Sequence, residues 1–466
     1  MKRLAVLLGL AAMTVARPSA SEHSTLNSQL STQILPTPAA PDSQCSNLTV
    51  AADGTLHLTW CGPGDRPGER ALRLATLAPG ATAWSAARTI TSTPLLMENW
   101  ADFASLAVGT DGALTAQWFQ KAAPDARGYD GWFARSSDRG ATWTAPARLG
   151  HEFVALAPLS GGRTLAVWLE SARIRDPNAA PRAKPDVNAP RPARDPAAPY
   201  APAMKLLARL LGPDHATLGE WTVDPDVCTC CQNTLATLPG DRVFAAYRGH
   251  TADEVRDNKY AIFDLAARTW TPSATLKDDG WKIAACPVNG PAADARGEAL
   301  AVAWFTVANG IPRVQARTSA DAGRNLGPTV QIDLGKPMGR IETVMLADKS
   351  ALILWLEIGT AENVAGIYAR RLFPDGMLSA PRLVADTAQA RASGFPRAAL
   401  RSNGHVVMSW THTGESTQVK TLSFDPTSLR PAAKGAVTSA VPARPGSVPL
   451  EFCIAPVAST LHASTP

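Results

Sequence analysis

Four sulfurs in this sequence lie close enough together in kind to do chemistry. Cys228, Cys230 and Cys231 sit in CTCCQN (228–233), and Cys286 sits in DGWKIAACPVNGP (279–291). Thiolates hold soft ions, so copper as Cu(I) or zinc is the cofactor this set would take. Four sulfurs match a tetrahedral zinc site in number, but one residue separates Cys228 from Cys230 where a zinc pair usually has two to four. In an extended strand Cys228 and Cys230 share a face and Cys231 points away. Convergence of all three therefore predicts a turn at this point. His250 offers a nitrogen as a further ligand. The alternatives are disulfides, one from Cys230 or Cys231 to Cys286 and another involving Cys453, or redox chemistry of the adjacent pair. An exported compartment favours the disulfides.

A second group of residues is suited to anions. Arg248, Arg340 and Arg397 can form a clamp for a carboxylate or sulfate, because the guanidinium fork matches that geometry. Their alternative is ordinary pairing with Glu254, Asp257 and Glu342. Asp102 is a candidate acid/base group or a turn cap. Trp100 and Trp281 are candidate platforms for a sugar ring, or loop packing. Cys45 and Cys61 flank the Asp53-Gly54 turn at nearly equal distances, which predicts that they face each other as a disulfide.

The elements that must position these groups form a repeat. A short apolar strand ending in an aromatic recurs at Trp60, Trp118, Trp168, Tyr247, Trp304, Trp355 and Trp410, with spacings of 58, 50, 79, 57, 51 and 55 residues. A Gly-containing turn precedes most of them (Asp53-Gly54, Asp111-Gly112, Gly161-Gly162, Gly240-Asp241, Asn403-Gly404), so each unit opens with a hairpin. The second unit reads as four strands, at 103–108, 113–119, 132–135 and 142–149. Repeated four-stranded units predict an all-β fold, a β-propeller of seven blades, or six if one repeat is malformed. The register puts Trp100, Asp102, His151, Glu152, the cysteines, Trp281, Lys282, Arg340, Glu342 and Arg397 in loops leading into the first strand of a blade. Glu170, Arg248, His250, Glu254, Arg256 and Asp257 follow the second strand. Both loop sets share the face at one channel mouth.

The rest of the chain is bounded by composition. Lys2 and Arg3 precede an uncharged apolar run at 4–16, followed by small residues; this predicts a signal peptide over 1–20, Met1 to Ala20, and a periplasmic or secreted protein. No cysteine lies near the cleavage region, which argues against a lipid anchor, and no later run predicts a membrane span in the mature chain. The formal charge of +5 falls to about +3 without Lys2 and Arg3, and no Lys/Arg blocks occur, so nucleic acid is not an implied partner. Seven cysteines leave at least one thiol unpaired within a monomer. Residues 21–40 form an N-terminal segment in which 31–36 can supply the missing outer strand of the last blade. The propeller spans 41–434, interrupted at 171–203 by a Pro/Ala-rich insertion too poor in large apolar groups to fold. A tail of weak strand character follows at 435–466.

Residues 136–143 read SSDRGATW, which matches the S-x-D-x-G-x-T-W pattern. Ser136, Asp138, Gly140, Thr142 and Trp143 supply it, and Ser319, Asp321 and Gly323 repeat it without the Thr-Trp. On this motif the chain resembles the sialidase-like (Asp-box, or BNR-repeat) β-propeller superfamily. With ENWADF, YRGH, VRD and GFPRAAL added to the two cysteine motifs, it resembles an exported bacterial sub-group of it. The resemblance implies structural Asp-box turns on the face opposite the active site. It also implies an exo-α-sialidase-like glycoside hydrolase, or a binding protein, for sialic-acid-like or other acidic glycans. The Phe/Tyr-Arg-Ile-Pro motif that carries the first sialidase arginine is absent from the first blade. Asp102, Arg248, Arg340 and Arg397 are therefore candidate catalytic residues by position on the repeat. The alternative is a non-catalytic periplasmic scaffold centred on the cysteines.

Overall fold

The computed structural model describes residues 29–126, 128–172 and 200–432. The signal peptide (1–20), most of the Pro/Ala-rich segment, the tail at 435–466 and Cys453 lie outside the described residues.

The chain forms seven antiparallel sheets in succession, six of four strands and one of five. This is the propeller of seven blades. The strands of each blade are lettered A to D outward from the channel. Strands A are Gln44–Val50, Ser105–Val108, Glu152–Leu159, Thr234–Leu238, Ala292–Arg296, Pro337–Met345 and Arg397–Leu400. Blade seven is completed by Thr32–Leu35, which pairs antiparallel with Thr417–Phe424 as its outer strand. In blade four the outer position is split between two short strands, Thr269–Trp270 and Ala274–Thr275. Among the described residues there is no α-helix, and so no helix long and apolar enough to cross a membrane.

The seven aromatics all lie on strands B and are buried. Those strands are buried along most of their length because a blade's middle strands have a neighbouring blade on each face. Ala299–Thr306, for instance, is buried at every position. The buried apolar side chains separate into seven clusters, one between each pair of adjacent blades. Burial between blades, at about 25 cal/mol per Å² of apolar surface, thus stabilises the ring; no single central core exists.

The second blade matches its expected pattern with shifted ends. Its third strand runs Tyr129–Ser136, and its fourth, Ala147–Gly150, starts later than expected because the turn at 136–143 occupies the intervening chain. In that turn Asp138 Oδ1 accepts from Ser136 Oγ at 2.7 Å and from the Thr142 N–H at 2.9 Å, and Oδ2 accepts from Thr142 Oγ1 at 2.6 Å. Gly140 has φ +84°, and Trp143 packs on the cluster between blades one and two. The second copy keeps the same geometry through a different residue. Asn325 stands where Thr142 stands, and bonds both oxygens of Asp321 through its N–H (2.9 Å) and Nδ2 (2.6 Å). Ser319 Oγ closes the turn onto Gly323 N–H.

The two ends of the 171–203 segment meet in the sheet, where Ser171 pairs with Met204. In blade one a bulge with Cys45 at φ +56° places Gln44, not Cys45, opposite Cys61. No disulfide joins Cys45 and Cys61 here: both are free thiols in one buried cluster, and Cys45 Sγ donates to Asn99 O at 3.3 Å.

Candidate functional site: a buried cysteine cluster

Cys228 directly follows the outer strand of blade three, Thr217–Val227, and the next strand is A of blade four. Its N–H donates to Arg248 O at 3.0 Å, which ties this crossover to the end of strand B. The chain bends at 229–230. The bend brings all three sulfurs together: Cys228 Sγ lies 3.8 Å from Cys230 Sγ and 3.7 Å from Cys231 Sγ, and the three fall within 4.8 Å of one another. Cys286 arrives on the loop into blade five, with Thr229 Oγ1 3.5 Å from its sulfur. Gln232 clamps the two loops together, donating to Ala101 O at 2.6 Å and accepting from the Gly290 N–H at 2.8 Å. A Cβ on Gly290 would collide with the Gln232 backbone, so glycine is required for the loops to close this tightly.

Two arginines set the electrostatics. Arg256 Nη1 donates to Cys228 Sγ at 3.2 Å, while its Nε and Nη2 bind Ile283 O (2.8 Å) and Glu254 Oε2 (2.7 Å). Burial works against a charge on Cys228. It is outweighed by hydrogen bonds from Cys230 and Cys231 and by the fields of Arg256 and Arg248, so the Cys228 thiol is held well below its ordinary range. Burial pushes Cys231 up to about 12. A hydrogen bond from Cys230 lowers Cys286. A soft-ion donor set with one sulfur held as thiolate is what metal binding requires, since only the thiolate is a ligand. The cluster formed by Cys228, Cys230 and Cys231 could therefore coordinate a metal ion such as copper or zinc.

His250 does not join the sulfurs. Its Nδ1 faces Tyr200 Oη (2.7 Å) and Asp226 Oδ1 (3.0 Å), and its Nε2 faces Glu254 Oε2 (3.0 Å). With both nitrogens on oxygen partners, it reaches Cys228 only through Glu254 and Arg256. A hydrogen-bonded chain, Tyr200–Asp226–His250–Glu254–Arg256–Cys228, thus runs from the blade-three crossover to the cluster.

The three arginines of the expected clamp are each engaged on protein groups. Arg248, 2% exposed, donates to Asn289 O (3.2 and 2.6 Å), Arg256 O (2.7 Å) and Phe305 O (2.8 Å), with its guanidinium 4.9 Å above Trp281. Arg340, also buried, donates to Ala390 O and stacks 4.8 Å over Trp100; its N–H binds Asn289 Oδ1 at 2.7 Å. Arg397 pairs with Glu342 at 3.1 Å and donates to Asn47 Oδ1. Trp281 is 4% exposed beneath Arg248, and Trp100 lies between Arg340 and Phe395, so neither offers an open face to a sugar.

Asp102 is buried at the channel. Its Oδ2 accepts from Tyr129 Oη at 3.0 Å and its Oδ1 from the Phe153 N–H at 2.9 Å. Burial, and then Glu152, holds its carboxyl well above the usual range. This bond is one of a series in which one blade's inner edge binds the next blade's backbone: Asn47 to Ala104 O, Thr234 to Ala293 O, Asp294 to the Met345 N–H and Glu342 to the Ala398 N–H. Asn233 Nδ2 donates back to Phe153 O between blades four and three, and Arg397 to Asn47 links blade seven to blade one. The channel they line has a volume of about 760 Å³.

Sequence reasoning missed Asn289, which binds both buried arginines, and Tyr129, the partner of Asp102. Asn289 lies inside CPVNGP, so a motif pointed at it, but nothing in the motif says that its carbonyl receives a guanidinium from another blade.

No family model and no curated protein matches the chain. Among solved structures it is similar to a protein of unknown function from Dyadobacter fermentans, at 12% identity over 85% of this chain and 98% of that one, with a TM-score of 0.46. It is similar to an α-L-arabinanase from Penicillium chrysogenum at 12% identity, over 86% of this chain and 100% of that one, with a TM-score of 0.44. It is also similar to a fungal alcohol oxidase of the AA5 family, in complex with copper, at 10% identity over 88% and 79% of the two chains, with a TM-score of 0.49. What the chain shares with these structures is the propeller fold.

Proposed function

We propose that this is an exported, periplasmic or secreted propeller whose functional centre is a soft-metal site, for copper or zinc, formed by Cys228, Cys230, Cys231 and Cys286. The observation that carries the reading is the sulfur spacing. A tetrahedral site with metal–sulfur bonds of about 2.3 Å has sulfur–sulfur edges of roughly 3.8 Å, and the Cys228 sulfur lies 3.8 and 3.7 Å from two of its neighbours. Arg256, donating to Cys228, and the adjacent Arg248 would balance the charge of a thiolate-rich centre. The test is metal analysis of the full chain purified under reducing conditions. Roughly one equivalent of zinc or copper is expected per chain, lost in Cys228→Ser and Cys230→Ser variants whose circular dichroism matches wild type. Failure of the reduced protein to take up either ion refutes the reading.

A second reading is kept by one observation, the Asp102–Tyr129 pair at the channel. A carboxyl and a tyrosine hydroxyl in hydrogen-bond contact suit a site for acidic, sialic-acid-like glycans, with Arg397 at the same channel. Hydrolysis of a fluorogenic sialoside, abolished in Asp102→Asn and Arg397→Ala, would support it; no turnover with intact metal binding leaves the scaffold. In the same compartment Cys45 and Cys61 would oxidise to the disulfide, which peptide mapping reads.

A further inference from the structure

Within CTCC, Cys228 and Cys231 stand as C-x-x-C, a spacing distinct from the adjacent Cys230–Cys231 pair. Their sulfurs are 3.7 Å apart, so closing to a bond of about 2 Å asks each to move less than about 1 Å. The alternative pairings in the tetrapeptide close smaller and more constrained rings. The two sulfurs also differ in surroundings. Arg256 aims a guanidinium donor at Cys228, and that arginine is fixed by Ile283 O and Glu254. Cys231 contributes its own sulfur contact to Cys228 from a buried position, and Cys230, half-buried, is the most exposed residue of the three.

From this we infer that Cys228 and Cys231 are a redox-active dithiol, with Cys228 the attacking sulfur and Cys231 the resolving one. The co-reactant is a small organic disulfide passing beside Cys230. Cys228 thiolate attacks one sulfur of that disulfide; its S–S bond breaks, one thiolate leaves, and a mixed disulfide forms on Cys228. Cys231 then gives its proton to the released thiolate and attacks the Cys228 sulfur, expelling the second thiolate. Two electrons pass from the cysteine pair to the co-reactant, and the products are the Cys228–Cys231 disulfide, one thiol and one thiolate. The order of events follows the geometry: Arg256 aims its donor at Cys228 at 3.2 Å, and Cys231 lies 3.7 Å behind it, placed to resolve. The consequence for metal rests on the reading above: closing this bond removes two of the four donors, so oxidation would release the ion.

The experiment equilibrates the full chain in mixtures of mercaptoethanol and its disulfide at pH 7, quenches with acid, alkylates free thiols and maps disulfides by peptide mass spectrometry. Metal content is measured on the same samples. Wild type should accumulate the Cys228–Cys231 bond. Cys231→Ser should stop at a mercaptoethanol adduct on Cys228. Quenched at times before equilibrium, Arg256→Lys, which keeps a positive charge but not the fork, should form the first adduct about tenfold more slowly. Wild type alone decides the pairing, so the result survives a variant that fails to fold. A bond mapped to any other pair, or a pair that stays reduced across the series, overturns the dithiol. A chain that holds zinc or copper yet never forms this bond overturns the dithiol alone. A chain that forms it while binding no metal in the reduced state supports the dithiol and overturns the metal reading.

Discussion

Replacing Arg248 with methionine should cost folding free energy, not ligand affinity. The guanidinium serves three buried carbonyl oxygens, those of Asn289, Arg256 and Phe305, and methionine of similar length restores none of those donors. A hydrogen bond to a charged group contributes about 1.5–3 kcal/mol. The four bonds share one side chain, and two of them share Asn289 O, so their losses add less than fully. A total of about 4 kcal/mol follows, or roughly a thousandfold in the folding equilibrium. Against a typical stability of about 5–15 kcal/mol, the variant should fold at low temperature and unfold early in urea. The assay is urea denaturation on reduced, chelator-treated protein, so that bound metal adds nothing to the folded state. Arg248→Lys should lose less, because the ammonium can still reach one carbonyl. A loss below about 1 kcal/mol would refute the reasoning: it would mean that the guanidinium is dispensable to the fold and free for an anionic ligand.

Other changes follow from the same structure. Gly140→Ala forces a Cβ at φ +84° to within 2.8 Å of Leu74 Cδ2, and should lower stability by about 1–3 kcal/mol in thermal unfolding. Gly376→Ala meets only the backbone cost, since nothing lies within 4 Å, and should lose about 1 kcal/mol. Asn325→Ala removes the Nδ2 bond to Asp321 and should cost about 1 kcal/mol, whereas Asn325→Thr should restore most of it. Burial raises Glu342 to about 7, with the Arg397 charge opposing. The folded protein then keeps a proton that the unfolded chain has released, so this group's contribution is present below pH 4.5 and is lost as pH rises through about 7. The loss corresponds to about 3 kcal/mol. Urea midpoints between pH 5 and pH 8 should fall with pH, and Glu342→Gln should flatten that slope.

The aromatic at the end of each strand B was legible because a strand buried on both faces must be apolar along its length, and the hairpin glycines mark where it begins. The cysteine cluster was legible too. Once CTCC is placed on the crossover into blade four, a bend is the one local change that gathers its sulfurs. The uses of the arginines were not legible. Arg248 meets carbonyls 41 and 57 residues away, and a backbone oxygen carries no signature in the sequence. His250 was placed on the correct loop but its partners, Asp226 and Tyr200, come from segments that no spacing rule connects to it. At Cys45 a single positive-φ residue shifts the register and moves the expected opposite residue by one. The second turn motif kept its geometry because an asparagine side-chain amide reproduces the hydroxyl donor of a threonine, a substitution visible as chemistry but not as a pattern.

The outer strand of blade seven comes from the opposite end of the described chain, and this bears on how the protein is made. Thr37 Oγ1 bonds Val419 O across 382 residues. Closing a loop of that length costs about 5 kcal/mol in chain entropy, incurred in one step when Thr32–Leu35 docks. During synthesis that strand emerges before the other strands of the ring and waits for its partner, Thr417–Phe424, which emerges after them. Six blades can stack in order of appearance, each sheltering the apolar face of the one before. The seventh cannot be completed until Thr417–Phe424 has been made, and that strand has an unpaired edge until Thr32–Leu35 docks on it. The last event in assembly is therefore a clasp, and a chain stalled before it would be vulnerable to proteolysis at that edge.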